Sequence, residues 1–377
     1  MPRNNTIVRQ FYTAAANTNL PAPVEEIREN TQQKSALRAQ LDDMVIGQPA
    51  AKEAIEDLDC LFRAGLNPEN RPAGSIILLG PSGCGKTRIV EAYAKATHGS
   101  EKHILKIDCG EFQMEHEVAK LIGAPPGYLG HRETTPLLSQ SRLNSVTSDR
   151  SPLSILLFDE IEKAAPSLQR LLLGALDKAH IRMGDNCGTN LERSMIFFTS
   201  NLGTDKINRL LAPEVSGGVI GFAPPEESRE ARDKKLRKVG VASLSKSMAT
   251  EFINRVDKIV VCHPLTREDT RQIIALQLEE VNDFLFSRCS IRSPEIEVTE
   301  DAREKIFEMA YDPRWGAREV RRVIQQQVLL PVARLFNNTG FGGDWKLTFT
   351  RGEAGLIMSS ERMSAPGTVR GKRAVNY

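Results

Sequence analysis

The apolar run at residues 75–79, Ser-Ile-Ile-Leu-Leu, leads directly into Gly80-Pro81-Ser82-Gly83-Cys84-Gly85-Lys86-Thr87, and residues 87–97 then carry a helical pattern. This strand–loop–helix unit constrains the fold more than any other stretch. A strand that is apolar at consecutive positions, instead of every second one, has both faces buried, which is the situation of a parallel sheet covered by helices. Similar runs recur at 103–109, 155–158, 195–199 and 258–262, the last ending just before His263-Pro264. Strands of this kind separated by helical stretches predict an α/β domain, a parallel sheet with helices on both faces.

Upstream, residues 24–44 set charges against Ile27, Leu37 and Leu41 in the manner of an amphipathic helix. A second helix is expected at 50–64, with Pro49 suited to its first turn. After Pro264 the character changes. Amphipathic helices are expected at 266–287, 299–310 and 317–336, the last kinked at Pro331, with a closing strand at 345–350. The chain is thus expected to divide into a flexible or helical segment (1–40), a large α/β domain (41–263), a small mainly helical domain (264–350) and a basic tail (351–377). In the last stretch of that tail, Arg362, Arg370, Lys372 and Arg373 stand against the single acid Glu361.

Composition narrows the partners. A formal charge of only +2 over 377 residues gives no general attraction to nucleic acid or to an anionic membrane. No stretch of about 18 consecutive apolar residues is present, so no membrane-spanning helix is expected. Residues 1–23 lack the continuous apolar core of a secretory leader, which makes a cytoplasmic location the expectation. Cys60, Cys84, Cys109, Cys187, Cys262 and Cys289 include no CxxC pair and read as reduced thiols, not as a zinc cluster.

Gly80 to Thr87 fits G-x-x-x-x-G-K-[ST] in the required context, with a strand before and a helix after. Glycines let backbone N–H groups turn inward around phosphates, and the following helix places its positive end there. Lys86 is the residue to neutralise the terminal phosphates, and the Thr87 hydroxyl joins the shell of a Mg²⁺ ion. Further along, the apolar run 155–158 ends in Asp159-Glu160. In a chain with a phosphate loop, Asp159 is placed to hold Mg²⁺ and Glu160 to polarise an attacking water as general base. Asn254-Arg255-Val256-Asp257 has some likeness to a guanine-reading N-K-x-D. It lacks the lysine and precedes a strand instead of following one, so ATP is the expected nucleotide.

The landmarks Val45-Ile46-Gly47-Gln48, GPSGCGKT, GAPPGYLG, LLFDEIEKA, FFTSNLG, EFINRVD and YDPRWGARE follow one another in an order that resembles the Clp/Hsp100 branch of the AAA+ ATPases. Within it, the match over residues 41–350 is similar to the second ATPase module of the ClpB, ClpA and ClpC type. The resemblance implies that Val45 and Ile46 pack on adenine, and that Asn201 is the sensor that orients the attacking water. It implies that Arg255 is an arginine finger offered to the neighbouring subunit, and that Arg318 reaches the nucleotide from the small domain. A finger acting between subunits implies a homo-oligomeric ring, hexameric in the family. Gly127-Tyr128-Leu129-Gly130 resembles the pore loop that grips a polypeptide, the substrate class the family threads.

The chain also departs from the family. His131-Arg132-Glu133-Thr134-Thr135 replaces the usual sequence after the pore loop, and residues 177–182 lack the usual DDGRLTD wording. One ATPase module is present instead of two, and residues 1–40 are too short for a substrate-binding domain, leaving them to dock an adaptor or localise the protein. Ile220-Gly221-Phe222 resembles the tripeptide with which some members dock a ClpP-like protease. A ring unfoldase or remodelling chaperone is the leading expectation. A protease-coupled ATPase, a dedicated assembly or disassembly factor and, with no basic stripe to support it, a nucleic-acid-directed ATPase are the alternatives.

Overall fold

The computed structural model describes residues 35–123, 136–204, 206–207, 229–289, 295–312, 316–339, 344–353, 355–363 and 373–375. Helix α1 (Ala36–Met44) begins where the Ser35 hydroxyl accepts a hydrogen bond from the Arg38 N–H, and α2 (Pro49–Arg63) begins on Pro49. Then come β1 (Gly74–Leu79), α3 (Lys86–His98), β2 (Leu105–Asp108), β3 (Ser154–Asp159), α4 (Pro166–Lys178) and a hairpin of β4 (His180–Arg182) and β5 (Gly188–Asn190). Strand β6 (Ser194–Ser200), α5 (Arg229–Leu244), α6 (Thr250–Arg255) and β7 (Lys258–Val261) complete the first unit.

The five apolar runs form one sheet of order β2-β3-β6-β1-β7, parallel throughout. Strands β1 and β6 are buried at every residue, and β3 at every residue but Asp159. Alternation along the strand then sorts side chains between two cores. Ile77, Leu79, Phe158 and Phe198 pack on one face, whereas Ile76, Leu78, Leu157 and Phe197 pack on the other with α1 to α3. Phe198 stacks on Phe158 at 5.4 Å and meets Phe252 of α6 edge-on at 5.3 Å. Tyr93, fully buried in α3, meets Phe197 edge-on and donates its hydroxyl to Asp59 at 2.8 Å, so its polar end is satisfied.

The second unit contains α7 (Arg267–Cys289), β8 (Glu295–Val298), α8 (Glu300–Ala310), α9 (Ala317–Ile324), a π-helical turn (Gln325–Leu329) and α10 (Leu330–Thr339). Strands β9 (Asp344–Arg351), β10 (Leu356–Met363) and β11 (Arg373–Val375) follow, in a sheet ordered β11-β10-β9-β8. Ile274, Ile306, Val320, Val328, Leu347 and Phe349 centre a separate core. The kink expected at Pro331 is absorbed by the π turn just before it. Proline has no N–H to donate and its ring crowds the carbonyl four residues back, so the ladder is reset there. Gln327, freed in that turn, accepts the Leu356 N–H through Oε1 at 3.1 Å.

Two boundaries need correction. The basic tail 351–377 is not a tail at its start: β10 pairs along its whole length with β9, and Leu356 and Met358 enter the core. Its apolar alternation was short, and only the partner strand across the Gly352–Gly355 turn makes it a hairpin. The domain described as mainly helical therefore carries a sheet as well. The large unit also begins before residue 41, since α1 starts at Ala36 and buries Leu41 completely against it. Residues 1–34 lie outside the described residues.

Because Phe198 is clamped between two aromatic rings with no exposed surface, Phe198→Ala is expected to cost about 3–5 kcal/mol of stability. A lowered urea midpoint measures that cost.

Candidate functional site

In a parallel sheet all strands end on one edge, and side chains just beyond those ends converge. Here β6 lies between β1 and β3. The loop after β1, Asp159-Glu160 at the end of β3, and Asn201 after β6 are therefore neighbours, although 115 positions separate Lys86 from Asn201 in sequence.

Loop 80–85 is held close against the end of β7. A Cβ on Gly80 would lie 2.6 Å from the Cys262 carbonyl oxygen, so glycine is required there. Gln48, itself in a left-handed conformation, fastens the same junction: its Nε2 donates to the carbonyls of Cys84 (3.0 Å) and His263 (2.8 Å), and its Oε1 accepts the His263 N–H (3.0 Å). Beneath the loop the buried thiols of Cys84 and Cys262 meet. A hydrogen bond with Cys262, helped by the Lys86 charge, holds Cys84 below the ordinary thiol pKa, while the same hydrogen bond and burial raise Cys262. Pro81, Ser82 and Gly83 complete the loop, and α3 starts at Lys86 with its N-terminus at the loop.

Lys86 is buried and its ammonium donates to the carbonyls of Gly80 (2.7 Å) and Pro81 (2.9 Å) and to Asn201 Oδ1 (2.9 Å). Asn201 in turn donates through Nδ2 to Glu160 Oε1 at 3.3 Å. Lys86, Asn201 and Glu160 thus form a continuous polar chain. Glu160 stands at φ 56°, ψ 51°, a left-handed conformation that costs a non-glycine residue roughly 1–3 kcal/mol. Its N–H donates to Thr199 Oγ1 at 3.0 Å, and the Thr199 hydroxyl donates to Asp159. One threonine therefore holds the Asp159 carboxylate and the Glu160 backbone. Asp159 also pairs with Lys106 at 3.0 Å, and Glu160 with Lys163 at 2.5 Å, a contact that raises the Lys163 pKa.

Lys86, Lys106, Asp159, Glu160, Thr199 and Asn201 line a cleft of about 1140 Å³ together with Thr87 and Arg318. Val45 is buried in the large unit's core, while the next residue, Ile46, packs on the core of the small one, so this pair straddles the two. Arg318 is exposed on the first turn of α9, and Arg321, one turn on, faces the same cleft. The unit carrying them touches the loop itself: the Ala317 N–H donates to the Gly83 carbonyl at 3.1 Å. Gly316 at φ 55° makes that approach, where a Cβ would fall 2.6 Å from Gly83 O.

Arg255 is not brought to this cleft. It ends α6 ahead of β7, whose first residue Lys258 pairs with Ile76, whereas the loop follows Leu79. Arg255 and the loop are separated by the length of a strand, roughly 15–20 Å. Asp257 accepts hydrogen bonds from the Ser75 N–H (2.9 Å) and Oγ (2.6 Å), so it is committed to the sheet and reads no base. The pore-loop residues Gly127, Tyr128, Leu129 and Gly130, and Ile220, Gly221 and Phe222, lie outside the described residues.

Sequence reasoning missed Gln48, Lys106, Lys163, Thr199 and Arg321 as parts of the site. Thr199 and Lys163 had a usable signal, since each lies within a landmark beside a named residue. Gln48 also stands in a landmark, close to Val45 and Ile46, whereas Lys106 had no such signal, because its partner is distant in sequence. Among the described residues no cluster of three or more His, Cys, Asp or Glu gathers as a self-sufficient metal cage, and no helix is long and apolar enough to cross a membrane.

Residues 71–259 match the family described as AAA domain (Cdc48 subfamily), and residues 265–341 match the C-terminal, D2-small domain of ClpB protein. The chain is 36% identical over 312 residues to the chaperone protein ClpB of Rhodopirellula baltica, covering 82% of this chain and 32% of that protein. It is 35% identical over 307 residues to the ATP-dependent Clp protease ATP-binding subunit ClpC of Staphylococcus aureus, covering 81% and 35%. The chain thus spans about a third of the length of these relatives. Its fold matches the closed-state cryo-electron-microscopy reconstruction of Hsp104 with ATPγS and FITC-casein, with a TM-score of 0.70 and 27% identity over 86% of this chain and 51% of that one.

Gly316→Ala forces both a disfavoured φ and a collision with the loop carbonyl. It is expected to weaken binding of a fluorescent ATP analogue by roughly 5–150-fold, the equivalent of 1–3 kcal/mol, with the circular dichroism spectrum unchanged.

Proposed function

The chain belongs to the AAA+ ATPases, in their Clp/Hsp100 branch and as a module of the D2 type, and on that premise we propose that it assembles into a ring and spends ATP hydrolysis on unfolding or remodelling polypeptides. The observation that carries this reading is the polar chain from Lys86 through Asn201 to Glu160, which joins a phosphate-binding cation to a general base through one side chain.

In this reading the N–H groups of loop 80–85 and the N-terminus of α3 cradle the phosphates, and Lys86 offsets their charge. Thr87 and Asp159 would hold Mg²⁺, which when bound would supply charge neutralisation at the transferred phosphoryl group. These two protein oxygens suit an ion that keeps most of its shell for phosphate and water. Glu160 accepts the proton of the attacking water, and its carboxylate is aimed by Asn201 on one oxygen and Lys163 on the other. Val45 and Ile46 grip the base, and because Ile46 belongs to the small unit's packing, base binding sets the angle between units. Arg318 reaches the phosphates from that unit. Arg255, at the far edge of the sheet, serves the γ-phosphate of the next subunit, which requires a closed head-to-tail ring, six-membered by analogy with the family. Tyr128, in Gly127-Tyr128-Leu129-Gly130, presses on the threaded chain without reading its sequence, since an aromatic face packs on any side chain.

Glu160→Gln is expected to keep ATP affinity while lowering turnover at least about 10²-fold, and to retain polypeptide substrates on the ring. Tyr128→Ala is expected to leave basal ATPase near wild type and to abolish ATP-dependent unfolding of a tagged substrate. Unfolding at the wild-type rate would remove the threading reading.

A further inference from the structure

Arg255 is held by more than its own helix. Its Nη1 lies 2.8 Å from Asp177 Oδ1 at the C-terminal end of α4, yet its side chain stays 45% exposed. Its backbone carbonyl accepts a hydrogen bond from Arg71 Nη2 at 2.9 Å. Arg71 also donates through Nε to the carbonyl of Leu176, the neighbour of Asp177, at 3.3 Å, and its Nη1 lies 3.8 Å from Asp257 Oδ1. One guanidinium just ahead of β1 therefore fastens the end of α4 to the α6–β7 turn, and this clasp brings Asp177 and Arg255 together. The frame is rigid from behind, because Leu176 and Phe252 are both buried in the same core.

Resting on the reading of Arg255 as an intersubunit finger, we propose that Asp177 is its positioning residue. The carboxylate fixes the guanidinium in one orientation toward the neighbouring subunit. An arginine has five N–H donors in a planar fork. The bond to Asp177 engages one nitrogen and leaves Nε and the other terminal nitrogen for phosphate oxygens. A free arginine loses rotamer freedom when it engages phosphate, whereas here folding has already fixed the side chain. A carboxylate acting as a brake, drawing the finger away from phosphate, would have the opposite kinetic sign.

The test is steady-state ATPase of the assembled full chain carrying Asp177→Ala, Arg255→Ala, or both. Arg255→Ala is expected to lower kcat by about 10³-fold, and Asp177→Ala by about 10-fold, the scale seen when an outer partner of a functional group is removed. KM, and the affinity for a fluorescent ATP analogue measured on the Glu160→Gln background, should not move. Asp177→Ala should add nothing to Arg255→Ala, and Asp177→Glu should recover part of the rate. In mixed rings, Glu160→Gln subunits have silent sites but intact fingers. They should restore turnover at Asp177→Ala sites to the level of the same mixture made with wild type.

An unchanged rate in Arg255→Ala overturns the finger reading itself. A slow Arg255→Ala beside a normal or faster Asp177→Ala overturns only the positioning role. Losses that add in the double variant, that accompany loss of ring assembly in sedimentation, or that mixed rings do not restore assign Asp177 to its own subunit's fold or contacts and overturn the proposal.

Discussion

A nearly buried ammonium group must be fully solvated by protein, and Lys86 meets that demand with Gly80 O, Pro81 O and Asn201 Oδ1. Its three acceptors belong to the ends of two different strands, so the lysine holds the loop closed on itself and ties it to β6. Everything else in the cleft is arranged from that bond. Asn201 can reach Glu160 because Lys86 occupies its carbonyl oxygen and fixes which way the amide faces. The left-handed Glu160 is kept in place by the Thr199 hydroxyl, which also holds Asp159. Strain at the carboxylate is thus borne by hydrogen bonds from the central strand, where burial leaves no water to compete.

The parallel order of the sheet has a second consequence. Strands that all point the same way put one set of loops at the nucleotide edge and the other set a strand's length away. Arg255 belongs to the second set, and so does the clasp of Arg71, Asp177 and Asp257. On the proposed reading, the chain carries a phosphate cradle at one edge and an oriented guanidinium at the other, and a ring in which the first edge of one copy meets the second edge of the next would use both. The same separation explains why a guanine-reading role for Asn254–Asp257 is untenable, since Asp257 is spent on the base of β1.

The small unit is coupled to the loop by contacts too short to be incidental. Gly316 lets the Ala317 N–H reach the Gly83 carbonyl, and Ile46 leaves the large core to pack on the small one. Gln48 binds the chain on both sides of this junction, at Cys84 and His263. A ligand filling the cleft touches both units, so its binding and departure bear on their relative angle. On the proposed reading, that is the physical route by which turnover at the phosphates would become movement of one unit against the other.

The parallel α/β fold and the phosphate loop, with the carboxylates Asp159 and Glu160, were legible in local pattern, whereas Asn201 and Arg318 were named only through the family resemblance. Unbroken apolar runs declare strands buried on both faces, and residues at the ends of such strands gather at one edge. Local pattern did not reveal β10, whose eight residues form a strand only because β9 is there to pair with them. Nor did it reveal Gln48, Thr199, Lys106 or the Asp177–Arg255 pair as parts of working groups. Hydrogen bonds and ion pairs act over about 3 Å, and the partners of these residues lie tens to hundreds of positions away along the chain. Strand order alone brings them within that range. The chemistry of the phosphate site was legible from residue types, and the tertiary structure decided which of those residues touch and which stand apart from the cleft.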